Sequence, residues 1–405
     1  MSGGPVAVTG TGLVTPAGTD TDSTWDALCA ARSPASGDEE PLAGTGVRHS
    51  LRVPPLRPGQ LTGRGTARTD PFIRFALVAV EEALHNAGLD PGSWDGGRVG
   101  VVVGCGLGGV TTLHEQNERL TRGGPELVSP YMHPRSLVNM AAGTISQRYG
   151  ITGPSHTVVA ACASGAVALG LGKTLLDAGV CDIVVACGTD AGVTPLVVSG
   201  FARMGALSQQ KGPDASRPFD ADRDGFVISE GAAAVVLEKP SGARARHAEV
   251  LGRLLGYAST SDAHHPTAPR PDGASAEAAV RQALEQAGVG AADVGTVNAH
   301  GTSTPQNDLT EARLIARLFP HGPSVTANKG LLGHTLGAAG AIEAVLTLRS
   351  LRTGTLPPIA HTERPDPELP GLDLVLGGAR SHGASVAVST SFGFGGSNCA
   401  LVLDA

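Results

Sequence analysis

The stretch AVEEALHNAGL at residues 79–89 returns as AVRQALEQAGV at residues 279–289. Ala, Val, Ala, Leu, Ala and Gly recur at identical offsets, 200 positions apart. Each copy carries apolar residues at helical spacing and ends in Gly88 or Gly288, the residue expected where a helix is capped. Each is followed by a strand with a shared pair, Val99-Gly100 in RVGVVVG and Val294-Gly295 in DVGTVNAHG. A second echo comes later in each copy. GFVISEGAAAVVLE (225–238) and GFGGSNCALVLD (393–404) both run from Gly-Phe through a small-residue turn into an apolar strand. Two echoes in one order predict a duplicated chain. The boundary falls near 240–248, in the connector KPSGARARH, which gives an N-terminal half at 1–245 and a C-terminal half at 246–405.

Working outward, both halves alternate strands with helices, an α/β pattern twice over. PVAVTGTGLVTP, RVGVVVG, SHTVVAAC and DIVVACGTD read as buried strands, and 72–87 and 163–177 as helices. Residues 31–70 and 106–135 are rich in Gly, Pro and Arg and are expected to be irregular surface loops. The 405 residues are 41% apolar but only 3% aromatic, with 57 glycines, which points to closely packed layers of small residues. A net charge of −7 argues against a general nucleic-acid binder. There is no long apolar run for a membrane helix and no signal peptide. Six scattered cysteines without CxxC or zinc spacing fit a reducing cytoplasm and no metal.

Four segments carry chemistry. In SHTVVAACASGAVALGLGKTLLDAG (155–179) a strand runs into Cys162 and a small-residue helix follows. Such an elbow exposes a nucleophile at a helix N-terminus, where N–H groups and the dipole favour thiolate; the alternative is a buried structural thiol. In VNAHGTSTPQND (297–308) a strand ends at His300, either a ligand-facing group or a capped structural histidine. In TANKGLLGHTLGAAGAIEAVLTL (326–348), His334 opens a Gly/Ala-rich helix, and Lys329 and Glu343 are available for a tertiary ion pair. In STSFGFGGSN (389–398), the glycines around Phe394 can present backbone N–H groups to an oxyanion.

Taken together, ACASG, NAHGTSTPxxD, GHxxGAAG and SFGFGGSN in this order resemble the β-ketoacyl-acyl-carrier-protein synthase family of the thiolase superfamily, most closely its elongating type II members. The resemblance extends to GTGLVTPAG (10–18) and SRPFDADRDGFVISEGA (216–232). It implies a thiolase-like fold, two βαβαβ-type halves in a five-layer αβαβα arrangement. It implies decarboxylative Claisen condensation of an acyl chain with a malonyl thioester, in fatty acid or polyketide biosynthesis. Cys162 then resembles the acyl-accepting nucleophile. His300 and His334 resemble the pair that binds the extender carbonyl and drives decarboxylation. Lys329 and Glu343 resemble the supporting ion pair, and Asp308 an acidic member of the same network. The N–H groups of Cys162 and Phe394 would form the oxyanion hole, and Phe394 resembles a gate. No cofactor is implied. The implied partners are an acyl carrier protein and a second ketosynthase-like subunit, in a homodimer or a heterodimer.

Competing readings are weaker. GCGLGG (104–109) matches a dinucleotide fingerprint literally, but GVTTLHEQ is a weak helix start and the region that follows, GGPELVSP, reads as a loop; Leu107 is better placed on the wall or rim of an acyl pocket. A thiolase carries a second catalytic cysteine where Phe394 stands, an initiating synthase one His and one Asn, and a chain-length factor no nucleophile. An active ketosynthase half of a heterodimer and a thiolase-like acyltransferase stay open. Ala161 stands where Thr often precedes the cysteine. An acidic carrier needs a basic entrance, for which LTGRGTARTDPF (61–72) offers Arg64 and Arg68, with Arg203 in GFARMGALS as a further candidate.

Overall fold

Small and β-branched residues let strands be buried on both faces, and the chain uses them that way. The computed structural model describes residues 4–34, 42, 44–61 and 68–405. The first half runs β1 (Val6–Val14), α1 (Thr21–Cys29), α2 (Pro71–Asn86), β2 (Val99–Gly104), α3 (Val110–Gly123), α4 (Met132–Ser136), α5 (Met140–Tyr149), β3 (Ser155–Val158), α6 (Ser164–Asp177), β4 (Ile183–Ala191), α7 (Pro195–Arg203) and β5 (Glu230–Glu238). A short helix, α8 (Pro240–Ala245), leads to the second half. There follow β6 (Gly252–Ser261), α9 (Ala274–Ala287), β7 (Thr296–Asn298), α10 (Pro305–Leu318), β8 (Ser324–Thr326), α11 (Lys329–Leu332), α12 (Ala339–Thr353), β9 (Thr355–Leu356), β10 (Asp373–Leu374), β11 (Arg380–Ser381), β12 (Val386–Gly393) and β13 (Ser397–Asp404).

Strand order shows the duplication directly. The sheet reads β10-β8-β7-β12-β13-β6-β1-β5-β4-β2-β3, so the first half's β3-β2-β4-β5-β1 is answered by β8-β7-β12-β13-β6. The two sets meet where β1 and β6 pair antiparallel, Val6 opposite Leu254. Strand residues alternate between apolar layers. In β5, Ala233, Val235 and Leu237 face the layer that holds α6 and α12, while Ala232, Ala234 and Val236 face α2. In β13, Cys399, Leu401 and Leu403 face the α6 and α12 layer, and Ala400 and Val402 face α9. Helices outside, sheets within and a helix pair at the centre make the expected five layers.

The repeated alanines have a steric cause. A Cβ on Gly10 of β1 would lie 2.0 Å from the Ala83 carbonyl oxygen of α2, and one on Gly256 of β6 would lie 2.1 Å from that of Ala283 of α9. Helix and strand backbones touch in both halves, at the same offset of the repeat. Asp70 caps α2 through the Phe72 N–H and also accepts the Thr112 N–H at 2.8 Å, which ties α3 to it.

Two expectations change. Residues 106–135 hold the helices α3 and α4 instead of an irregular loop, and α3 begins directly after GCGLGG. Its pattern hides it, because Thr112 and Gln116 face inward while Leu113 and Leu120 are exposed. Strand β3 is an edge strand and not a buried one: Ser155 and His156 are exposed. Arg64 falls outside the described residues. Among the described residues no helix is long and apolar enough to cross a membrane.

Gly10→Ala or Gly256→Ala presses a methyl group onto a carbonyl oxygen, and each should lower the unfolding free energy by about 1–3 kcal/mol. Gly200→Ala, on α7 with nothing within 4 Å of the added methyl, should raise it by about 0.5–1 kcal/mol. Urea unfolding of the three variants beside the parent checks this, and an unchanged Gly10→Ala would show that the helix–strand contact is looser than described.

Candidate active site

Cys162 sits in the elbow between β3 and α6. The preceding Ala161 has φ 47, a left-handed conformation that costs energy for a residue with a Cβ. Ser164 holds it there, accepting the Ala160 N–H at 2.9 Å and donating its hydroxyl to the Ala161 carbonyl at 2.6 Å. The Phe394 N–H, from the Gly-rich turn between β12 and β13, points at the Cys162 sulfur. Burial pushes the thiol up to about 12; the Lys329 ammonium and the Phe394 N–H work against this and the Asp190 charge works with it. The thiolate that a helix N-terminus favours is therefore outweighed by burial, and the resting group is a thiol.

His300 follows β7. Its backbone N–H donates to Glu311 at 2.8 Å and to the Thr390 hydroxyl at 3.2 Å, which fixes the chain before the ring is placed. Its Nδ1 lies 3.2 Å from Lys329 Nζ, and Lys329 also donates to the His300 carbonyl at 2.6 Å. His334 stands between α11 and α12 and is pinned by the first half: its N–H donates to Val227 O at 2.7 Å, and its carbonyl accepts the Ser229 N–H at 3.0 Å. Its Nδ1 accepts the Leu336 N–H at 3.2 Å. With both Nδ1 atoms occupied as acceptors, each neutral ring carries its proton on Nε2. Burial holds both histidines well below their usual range, and the Lys329 charge adds to it. The rings meet edge to face, centroids 5.5 Å apart.

Lys329 and Glu343 form a buried ion pair, as expected. Burial raises the Glu343 carboxyl to about 7, against the pull of Lys329. Asp308 stands one step away. It accepts the Phe219 N–H at 2.8 Å and faces Arg223, which also pairs with Asp366. Phe394 is half-buried, 6.2 Å from the Phe201 ring, which continues to Phe226 and then His334. Cys162, His300, His334 and Phe394 all line one cavity of about 400 Å³. Met204 and Gly205, next to the exposed Arg203, are also in its wall. Leu107 packs in an apolar cluster with Phe226 and Leu336. Among the described residues no group of three or more His, Cys, Asp or Glu side chains is placed to hold a metal.

Two acids escaped the sequence reading. Glu311 accepts the backbone N–H groups of His300 and Gly301, each at 2.8 Å, and the Thr390 hydroxyl at 2.7 Å. Its signal was an acid inside the apolar face of α10, beside Ala312, Leu314 and Ile315. Asp190 ends β4 and accepts the N–H groups of Gly106 and Leu107, each at 2.9 Å, and of Gly337 at 2.7 Å. The amides of GCGLGG thus serve a carboxylate of this chain, and the dinucleotide reading loses its donors.

Residues 56–243 match the Beta-ketoacyl synthase, N-terminal domain, and residues 251–363 the Beta-ketoacyl synthase, C-terminal domain. The chain is 39% identical to a 3-oxoacyl-acyl-carrier-protein synthase 2 of Rhizobium meliloti, with 98% of each chain covered. A type II PKS ketosynthase solved with its acyl-carrier protein superposes with a TM-score of 0.92 at 29% identity, covering 100% of both chains. The ishigamide ketosynthase/chain length factor superposes with a TM-score of 0.91 at 31% identity, covering 99% of both.

Glu311→Gln turns one acceptor oxygen into an amine facing donors. It should cost about 2 kcal/mol of stability in urea unfolding. A variant as stable as the parent would show that these three donors have another partner.

Proposed function

This chain belongs to the β-ketoacyl synthase family, and on that footing we propose that it extends acyl chains by decarboxylative condensation with a malonyl thioester, Cys162 acting as nucleophile. The observation that carries the assignment of roles is the pair of neutral histidines, each with Nδ1 engaged and Nε2–H left for the cavity. In the first half-reaction the Cys162 sulfur attacks the acyl thioester. Its oxyanion sits against the N–H groups of Cys162 and Phe394, and the proton of the thiol leaves on the released carrier thiol. In the second, the malonyl carboxylate departs as CO₂ and its electron pair forms an enolate, whose oxygen accepts from His300 and His334. The enolate carbon bonds to the acyl carbonyl carbon, and the Cys162 thiolate leaves and takes a proton from solvent.

Lys329 and Glu343 act through His300: the ammonium keeps its Nδ1 an acceptor and its ring neutral. Asp308 secures the start of α10, the helix that carries Glu311 to the His300 backbone. Phe394 is a gate, carrying one N–H of the oxyanion hole beside the entrance. The product is a β-ketoacyl chain on an acyl carrier protein, in fatty acid or polyketide biosynthesis. We place the reaction in the cytoplasm, which six free cysteines suit. We divide the chain at 1–245 and 246–405, each half contributing to one site, a division supported by family matches that end at 243 and resume at 251. A second subunit, identical or a chain-length-factor-like partner, is proposed against the free edge of β3. Chain-length-factor complexes among the structural neighbours support the heterodimeric reading.

Cys162→Ala should abolish acyl-enzyme formation and condensation while malonyl decarboxylation persists. His300→Ala and His334→Ala should still acylate but decarboxylate about 10²–10³ times more slowly. Intact-mass analysis of the protein and CO₂ release separate the two, and condensation retained by Cys162→Ala would refute the assignment.

An acidic carrier is expected to dock on Arg68 and Arg203, both exposed, with Arg203 next in the chain to Met204 and Gly205 of the cavity wall. Arg68→Glu with Arg203→Glu should raise KM for a carrier-bound acyl group about tenfold at low salt and leave a small acyl thioester unaffected. Equal behaviour of the double variant and the parent on both substrates would place the docking face elsewhere.

A further inference from the structure

We propose that Asp190 is a positioning residue of this reaction: its carboxylate clasps the turn that carries His334 to the loop after β2. The proposal rests on the activity put forward above and adds a residue to it.

Four neutral donors from two separate segments converge on this one fully buried side chain. Oδ2 accepts the N–H of Gly106 at 2.9 Å and of Gly337 at 2.7 Å; Oδ1 accepts the N–H of Leu107 at 2.9 Å and the Cys105 thiol at 3.4 Å. Only an acceptor on both oxygens answers such a set, which a carboxylate is and an amide is not. The approach is tight from both sides. A Cβ on Gly337 would lie 2.5 Å from Asp190 Oδ2 and from the Gly106 nitrogen, and one on Gly106 would lie 2.8 Å from Oδ2.

The path to the ring is short. Gly337 follows Leu336, whose N–H donates to His334 Nδ1 and sets its tautomer. Leu336 has φ 53, a strained conformation for a branched side chain that persists only where its surroundings hold it. The bond from Gly337 to Asp190 is part of that hold. Gly106 also lies under the elbow, with the Ala161 carbonyl oxygen 3.8 Å from the position of an added Cβ.

The test uses two variants and separates the half-reactions. Asp190→Asn puts an amine among the donors and removes the charge; Gly337→Ala breaks the clasp and keeps the charge. Both should decarboxylate malonyl-carrier about tenfold more slowly or worse, with Cys162 self-acylation within about twofold of the parent. Unchanged decarboxylation in Gly337→Ala, or equal loss of both half-reactions, would overturn the proposal. A parent protein that neither acylates nor decarboxylates would overturn the activity instead. Should Asp190→Asn fail to fold, Gly337→Ala carries the decarboxylation test alone.

Discussion

One buried ammonium organises the site. Lys329 is buried, and a desolvated charge is stable only where acceptors meet it closely. Glu343, the His300 carbonyl and His300 Nδ1 supply them. The acceptors come from two places: Glu343 from α12, and the His300 carbonyl and ring from the chain just after β7. Meeting the needs of this cation therefore fixes how α12 docks on the second sheet and which way the first histidine turns. The same charge suppresses protonation of both histidines and is the main influence opposing burial at the cysteine.

The duplicated fold is what lets such a cluster exist. Each half ends its strands at the same edge of the layers, so that loops from both copies converge over α6 and α12. The crossing is literal at His334, whose backbone pairs with Val227 and Ser229 of the first half. It recurs at Asp190, on a first-half strand, which binds Gly337 of the second. Neither half alone surrounds the cavity. This is why the repeat is strongest where helices touch strands, at Ala83 and Ala283, and has faded in the loops, where the copies took different tasks.

Much of this was legible in the sequence, and the exceptions have physical causes. The layers could be read because small residues at fixed offsets mark backbone contact, as at Gly10 and Gly256. Cys162, His300, Lys329, His334, Glu343 and Phe394 stood in distinctive turns, and the fold brings them together. Helix α3 was missed because its inward residues are polar: Thr112 donates its backbone N–H to Asp70, and Gln116 accepts the Ser129 N–H. Strand β3 was misjudged because apolar composition does not say whether a strand has one neighbour or two. Glu311 and Asp190 were missed because their partners are backbone N–H groups, distant in sequence for Asp190, and a main-chain donor leaves no mark in the sequence.

The protonation states explain why so polar a cavity suits the loss of a carboxylate. With the roles proposed above, its reactive groups are a thiol and two neutral imidazoles, and among the described residues the cation in contact with His300, Lys329, is already met by Glu343. A malonyl carboxylate brought here gives up water and finds no free charge to replace it, whereas the thioester oxygen finds two N–H donors. Departure as neutral CO₂ relieves the first condition and exploits the second, because charge moves from an unsupported carboxylate to a supported enolate. An uncompensated lysine or a protonated histidine in the same place would bind the carboxylate and stabilise the ground state. Burial that keeps both histidines neutral is thus a requirement of the chemistry, and the ion pair that makes such burial tolerable is its structural counterpart.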